Sequence, residues 1–456
     1  VSLPTPSGWL AELERAAWRP RLEGTVEADV AVVGGGLSGL WTALGVLARR
    51  PNWSVVVVEA ERVGWGASGR NGGWVSALFP VPLARVAADH SIEAARVLRR
   101  RLVDNLAEIE GLLGADAAQV GFRREGSVVA ARSAGQWRGL VAEVRTFREL
   151  GLVAPPELLD AAGVRAHLDI PGTIGGTFEE ACASVQPARL VELLAGRVEA
   201  AGGLVLERSP VHPGASGMLL GVGGRVRAGQ VVWATESYLT REPPWHRVLA
   251  PVASQIIQTA PLPEATLMRL GRPRVGLTFA DARRLVVYGQ LREDRRVVFG
   301  GRGAPYRFGS ALEGTETVGP GRRRVLLETL EELLGARGEL EVEASWAGTI
   351  GIARDWYPRV LHDPRQRTTI LGGYAGDGVA LSRVAGDLAA SYATGAAVDP
   401  VLAVVLGRPW RSWEHEPLRW LGINVGLLLT RAGDRLEHRL LAGGIIDRAR
   451  EALLGR

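Results

Sequence analysis

The stretch DVAVVGGGLSGLWTALGVLARRPNWSVVVVE, residues 29–59, decides the fold. A short apolar, β-rich run at 28–33 breaks at three glycines. A helix-compatible apolar segment follows at 37–49, then Pro51, then a second run at 53–59. Strand, glycine turn, helix and strand in that order make a βαβ unit. Near-continuous valine marks a parallel strand buried on both faces. Gly34, Gly36 and Gly39 form G-x-G-x-x-G. The first permits the tight turn, the second lets backbone approach a pyrophosphate, and the third lets the helix pack on the strand. Leu37 and Ser38 begin the helix, whose free N–H groups face such an anion. Glu59 ends the second strand, twenty residues past Gly39. A carboxylate there accepts ribose hydroxyls and repels a 2′-phosphate. The competing view is a plain glycine turn with a surface glutamate beside it.

Working outward, residues 64–74 read GWGASGRNGGW. Such a run cannot be core. It is either a flexible surface loop or a wrap around a flat or charged ligand, because glycine lets N–H groups come close. Amphipathic helices are expected at 91–113 and 135–150, and a helix at 187–201 before a strand at 204–207. QVVWA at 230–234 is a buried strand ending in Thr235. Residues 284–288 and 296–300 are expected to pair antiparallel around the polar turn at Glu293 and Asp294. A helix at 321–334, a short strand at 369–371 ending in Gly372 and Gly373, and a helix at 379–392 complete the pattern.

Composition removes several chemistries. Apolar residues make up 46% and charged residues 23% of 456, ordinary for a soluble globular protein of two or three domains. No segment approaches the ~20 consecutive apolar residues of a membrane span. The first twenty residues lack an apolar signal core, so a cytoplasmic protein is expected, and Val1 in place of Met suggests a trimmed or alternatively started chain. All 54 basic residues are arginine; there is no lysine. No Schiff-base lysine or phosphate-loop lysine operates here. The net charge of +5 is spread along the chain, which argues against nucleic acid as a partner. Cys182 stands alone, which excludes an intrachain disulfide and a four-cysteine cluster. No two histidines are three or four residues apart, so no helix-borne metal pair is expected.

The glycine fingerprint, Glu59 and GASGRNGGW together resemble the D-amino-acid-oxidase and glycine/sarcosine-oxidase superfamily of FAD enzymes, nearest its gamma-glutamylputrescine-oxidase-like subgroup. FGGR at 299–302, GGYAGDGVALSRVAGD at 372–387, SVQPAR at 184–189 and VVWAT at 231–235 match in the expected order. The resemblance spans roughly 26–394. It implies an α/β fold: a Rossmann-like FAD-binding domain (26–90, 171–245 and 341–399) interleaved with an antiparallel-sheet substrate domain (91–170 and 246–340). Residues 400–456 would form a helical C-terminal extension, packed on the body as a hairpin in preference to a membrane-interface helix. It implies that Gly34, Gly36, Leu37, Ser38 and Gly39 hold pyrophosphate, and that Glu59 and Ala60 hold ribose. Ser68, Arg70, Asn71, Gly72 and Gly73, with Thr235 and Gly373, would line phosphate and flavin. Gly376, Asp377, Gly378 and Val379 would cover the pyrimidine end of the flavin, where a helix N-terminus stabilises the anionic reduced ring.

Departures from the family are informative. Monomeric sarcosine oxidase tethers its flavin to a cysteine; the matching stretch here, 346–358, has none, so non-covalent FAD is expected. The lysine that the family uses for the substrate carboxylate is replaced by Ala380, and a second family lysine, linked to oxygen reactivity, has no equivalent. The resemblance implies oxidation of a primary or secondary amine to an imine by hydride transfer to flavin N5, with oxygen or another electron acceptor as second partner. Tyr288, Arg302, Trp346, Arg354 and Asp377 are the candidates for the substrate side, each also explicable as core, ion-pair or turn residue. The alternatives are a non-amine dehydrogenase using flavin or nicotinamide, and a catalytically idle FAD-binding interaction protein.

Overall fold

The computed structural model describes residues 7–13, 17–215, 217–301, 303, 306–312 and 317–436. The first unit forms as its glycines and valines dictate. Strand β1 (Gly24–Val33) leads through Gly34–Gly36 into helix α1 (Leu37–Arg49), and the chain returns as β2 (Val55–Val58), parallel to β1. All four β2 valines are buried, as are the last four residues of β1. β1 is four residues longer than its apolar run. Those four residues pair in parallel with β3 (Gly224–Trp233) and stay largely exposed. The sheet runs Arg359–Asp363, Thr368–Gly372, β3, β1, β2, Leu204–Leu206, with the small strands Val211–Pro213 and Met218–Gly221 added beside β3. Only the Arg359–Asp363 strand and those two added strands pair antiparallel.

The second sheet has eight strands and is antiparallel except where Thr278–Asp281 meets Ser127–Ala131. Its centre is built from β4 (Leu249–Thr259), β5 (Val287–Leu291), β6 (Val297–Gly301) and β7 (Val342–Ala353). β5 and β6 are the expected antiparallel pair, but β5 starts three residues late. The backbone N–H groups of Arg284 and Leu285 are instead bound by the Asp434 carboxylate, at 2.8 and 3.0 Å. One sheet face, through Ile257 and Phe299, buries Leu326, Leu330 and Leu333 of the helix Pro320–Leu334. The other face, through Ile256, Val298 and Trp346, packs on Trp9, Leu10 and Ala188.

Gly175–Glu179 and β7 fall within segments assigned by sequence to the nucleotide domain, yet both pair in the antiparallel sheet. β7 is twelve residues long and pairs along the whole of β4, with one register shift between Gln258 and Thr259, which overrides its sequence proximity to the nucleotide strands.

Helix α2 (Gly378–Thr394) is almost wholly buried and packs on α1. The C-terminal extension is helical at Pro400–Leu406 and in α3 (Leu418–Leu436), and the remainder of the segment expected to form a hairpin lies outside the described residues. The first packs on the long helix Ile92–Leu113. α3 lies along the second sheet, with Asn424 donating to the Tyr306 carbonyl and Arg431 to the Gly303 carbonyl. The buried Trp413 anchors the segment between them through its indole N–H, 2.8 Å from the Ile352 carbonyl. Residues 437–456 lie outside the described residues. Among the described residues no helix is long and apolar enough to cross a membrane.

Candidate functional site

A cleft of about 520 Å³ runs from the ends of β1, β2 and β3 to the start of α2 and the wall formed by Thr349 and Ile350 of β7. Each end of it is made by local sequence. Gly34 takes φ +107°, and its N–H bonds the Val58 carbonyl at 2.9 Å, which sets the tight turn. A Cβ built at Gly36 would lie 2.8 Å from Ser68 Oγ, the atom that accepts the Leu37 N–H at 2.9 Å. At Gly39 a Cβ would lie 2.0 Å from the Gly34 carbonyl oxygen, so glycine there is a packing requirement.

Glu59 closes one end. Its Oε2 accepts the Gly35 N–H at 2.7 Å and its Oε1 the Glu61 N–H at 2.9 Å. Burial pushes its carboxyl up to about 7; the two N–H bonds oppose the rise, and the Glu61 and Glu207 carboxylates add to it. Two helix N-termini open on the same cleft. Neither Gly36 before α1 nor Asp377 before α2 makes a side-chain cap bond, and Gly36, Leu37, Gly378 and Val379 line the space. Thr235 Oγ1 is buried on the wall with no hydrogen-bond partner among the described residues. An uncapped helix end, a glycine cradle and an orphaned hydroxyl fit an anionic, hydroxyl-bearing ligand as long as a dinucleotide.

Of the residues expected at the cofactor, Gly34, Gly36, Leu37, Ser38, Glu59, Ala60, Ser68, Asn71, Thr235, Gly376, Gly378 and Val379 line the cleft. Others do a different job. Arg70 is 1% exposed and turned inward, its Nε 2.7 Å from the Trp65 carbonyl and its guanidinium 4.7 Å from the Trp65 ring. Asn71, at the cleft, also braces its own loop, donating to the Ser68 carbonyl and accepting the Gly73 N–H, each at 2.8 Å. Gly72 and Gly73 admit the second sheet: a Cβ at either would lie 2.3 Å from Tyr288 or Gln290. Gly373 binds Glu236 through its N–H.

The substrate-side candidates separate in the same way. Trp346 is buried edge-on to Trp9 and donates to the Arg70 carbonyl at 3.1 Å, so it supports the loop from beneath and is not among the cleft-lining residues. Arg354 pairs with Glu414 at 3.0 Å and lies over Trp413, which ties it to the C-terminal segment. Asp377 is the half-buried residue before α2. Arg302 lies outside the described residues. Tyr288 faces the loop at Gly72, its hydroxyl 2.7 Å from Ser254 Oγ. Ser254 pairs with Gly348 and Val252 with the cleft-lining Ile350, so the hydroxyl pair adjoins the cleft wall on the same sheet face.

Sequence reasoning missed four groups. Tyr374 lines the cleft and its hydroxyl meets Ser38 Oγ at 2.9 Å; burial pushes that phenol up. Glu236 lines it too, one residue past the VVWAT strand end that the sequence did mark. Tyr238 spans toward Gly66. Trp9, in a terminal segment with no visible periodicity, donates its indole N–H to the Asn71 carbonyl at 2.8 Å.

Residues 29–392 match the family model described as FAD dependent oxidoreductase, DAO. The chain belongs to that family. This FAD-dependent oxidoreductase is 28% identical over 398 residues to gamma-glutamylputrescine oxidoreductase of Escherichia coli (strain K12), covering 86% of this chain and 89% of that one. Its fold is shared with glycine oxidase from Geobacillus kaustophilus (TM-score 0.67, 22% identity, 85% of this chain and 100% of that). L-proline dehydrogenase from P. horikoshii also shares it (TM-score 0.67, 18% identity, 84% and 96%). FAD is therefore the cofactor, and the nicotinamide alternative is set aside. The cleft of this FAD-dependent oxidoreductase fits FAD by its own features: the Gly36 cradle, Glu59 at one end, the α2 terminus at the other, and Thr235 Oγ1 between. Its one cysteine, Cys182, is buried away from the cleft-lining residues.

Proposed function

We propose that this protein oxidises a primary or secondary amine to an imine, which water then hydrolyses. The observation that carries the proposal is the Tyr288–Ser254 hydroxyl pair, on the sheet face that continues from the cleft wall at Ile350. FAD, when bound, would supply the two-electron acceptor for the hydride of the carbon that bears nitrogen. The chain supplies binding and orientation. Ser68, Leu37 and Ser38 would hold the pyrophosphate, Glu59 the ribose, and the N-terminus of α2 the flavin edge that gains negative charge on reduction. Tyr288 and Ser254 are neutral groups that both donate and accept, which suits an amine bound as its free base. Such an amine keeps the lone pair that stabilises the developing iminium. The proton lost in forming the imine passes to water, with the hydroxyl pair placed to relay it.

The first substrates to test are γ-glutamyl-capped diamines, after the activity named for the E. coli relative. Aldehyde or ammonia released from such an amine, with dye as acceptor and no nicotinamide present, supports the proposal. Absence of both products across amines, with turnover of a hydroxy acid, refutes it.

A further inference from the structure

β3 ends at Trp233, and three residues later the backbone enters the left-handed region at Glu236, with φ +50°. That conformation suits glycine; a residue with a Cβ is strained in it and persists where its surroundings require it. The Glu236 carboxylate shows what they require. Oε2 accepts the Gly351 N–H of β7 at 2.7 Å. Oε1 accepts the N–H groups of Gly373 and Tyr374, both at 3.1 Å, on the turn that leads into α2. A Cβ at Gly351 would lie 2.6 Å from Oε2, and one at Gly372 would lie 3.3 Å from the Glu236 Cα, so glycine faces this residue on both sides. One carboxylate thus ties three segments together: the end of β3, the wall strand β7 beside Thr349 and Ile350, and the turn before α2. Through Tyr374 Oη and Ser38 Oγ the same turn reaches the start of α1.

We propose that Glu236 is a positioning residue of the cofactor site: by sharing its carboxylate among the Gly351, Gly373 and Tyr374 N–H groups, it sets the separation between the β7 wall and the N-terminus of α2. That separation governs how strongly the helix end favours the reduced, negatively charged flavin. The inference rests on the FAD assignment and not on the identity of the amine. It also predicts a sign. Three N–H donors offset much of the carboxylate's own charge, so losing it chiefly releases the helix end, and the flavin becomes harder to reduce. Were Glu236 simply a negative charge near the ring, its loss would make the flavin easier to reduce.

The test compares wild type, Glu236→Gln and Glu236→Gly, each saturated with FAD and equilibrated anaerobically with a reference redox dye. Gln keeps one acceptor oxygen for three donors. Gly removes the side chain and also the backbone strain, so it keeps the fold testable. The expected result is a reduced-to-oxidised flavin ratio, at fixed dye potential, that falls roughly threefold to tenfold, more in Gly than in Gln. An unchanged ratio, or one displaced toward reduced flavin, overturns the proposal.

Discussion

Glu59 and Gly35 are joined across the cleft end: the carboxylate that terminates β2 accepts the glycine-turn N–H at 2.7 Å. The residue that would receive the ribose therefore also fixes the turn that would receive the pyrophosphate. Glu59→Gln should retain one acceptor and weaken FAD binding by about 1.5–3 kcal/mol, the range for a hydrogen bond to a charged group. Gly36→Val places its Cβ 2.8 Å from Ser68 Oγ and fills the cradle, so it should lose more. The ratio of flavin to protein absorbance after purification reads both. Full occupancy in Gly36→Val would show that the turn does not carry the cofactor.

The same carboxylate predicts an unusual pH dependence. In the cofactor-free protein burial pushes Glu59 up to about 7, from 4.5 as an ordinary carboxyl. Between those values the folded state holds a proton that the unfolded chain has lost, so the contribution of Glu59 to stability falls as pH rises. Glu236 is pushed up to about 7 as well and acts in the same direction. His90, His167 and His362, held low by burial, act oppositely. The clean observable is a difference: apo Glu59→Gln should gain melting temperature relative to apo wild type as pH rises from about 5 to 8. A difference that stays flat or declines refutes the assignment.

How much of this was legible in the sequence depends on how local each signal is. The βαβ unit needed only valine continuity and three glycines, and the order of the later motifs identified the family. What failed was decided by distant partners. β5 starts late because Asp434, some 150 residues away in sequence, binds the backbone of Arg284 and Leu285. Arg70 has the composition of a phosphate ligand, yet the Trp65 ring and carbonyl draw it inward. Glu236 gave no motif, because its three partners come from β7 and the turn before α2, which meet only in the fold.

Tyr288→Phe removes the hydroxyl bonded to Ser254 and leaves the ring that fills the space above Gly72 and Gly300. FAD content should be unchanged, and flavin reduction by substrate should slow about tenfold, the equivalent of one hydrogen bond of about 1.4 kcal/mol. Ser254→Ala should do likewise, and the double variant should cost less than the sum, because the two share one interaction. Additive losses, or unchanged reduction rates, would place the substrate elsewhere.

With no cysteine in 346–358 and Cys182 buried, the flavin should not be tethered. Acid precipitation should leave a colourless pellet and FAD in the supernatant. Flavin retained by the pellet, or FMN in solution, would contradict this.

The most direct test of the central claim is anaerobic mixing of the yellow protein with a panel of amino acids, N-methyl amines and polyamine conjugates while the visible band of the oxidised flavin is followed. At least one amine should bleach it without a nicotinamide cofactor, at a rate that falls at low pH, where the protonated amine lacks its lone pair. If no amine bleaches the band and a hydroxy acid or NADH does, amine oxidation is wrong and only the FAD-dependent family assignment stands.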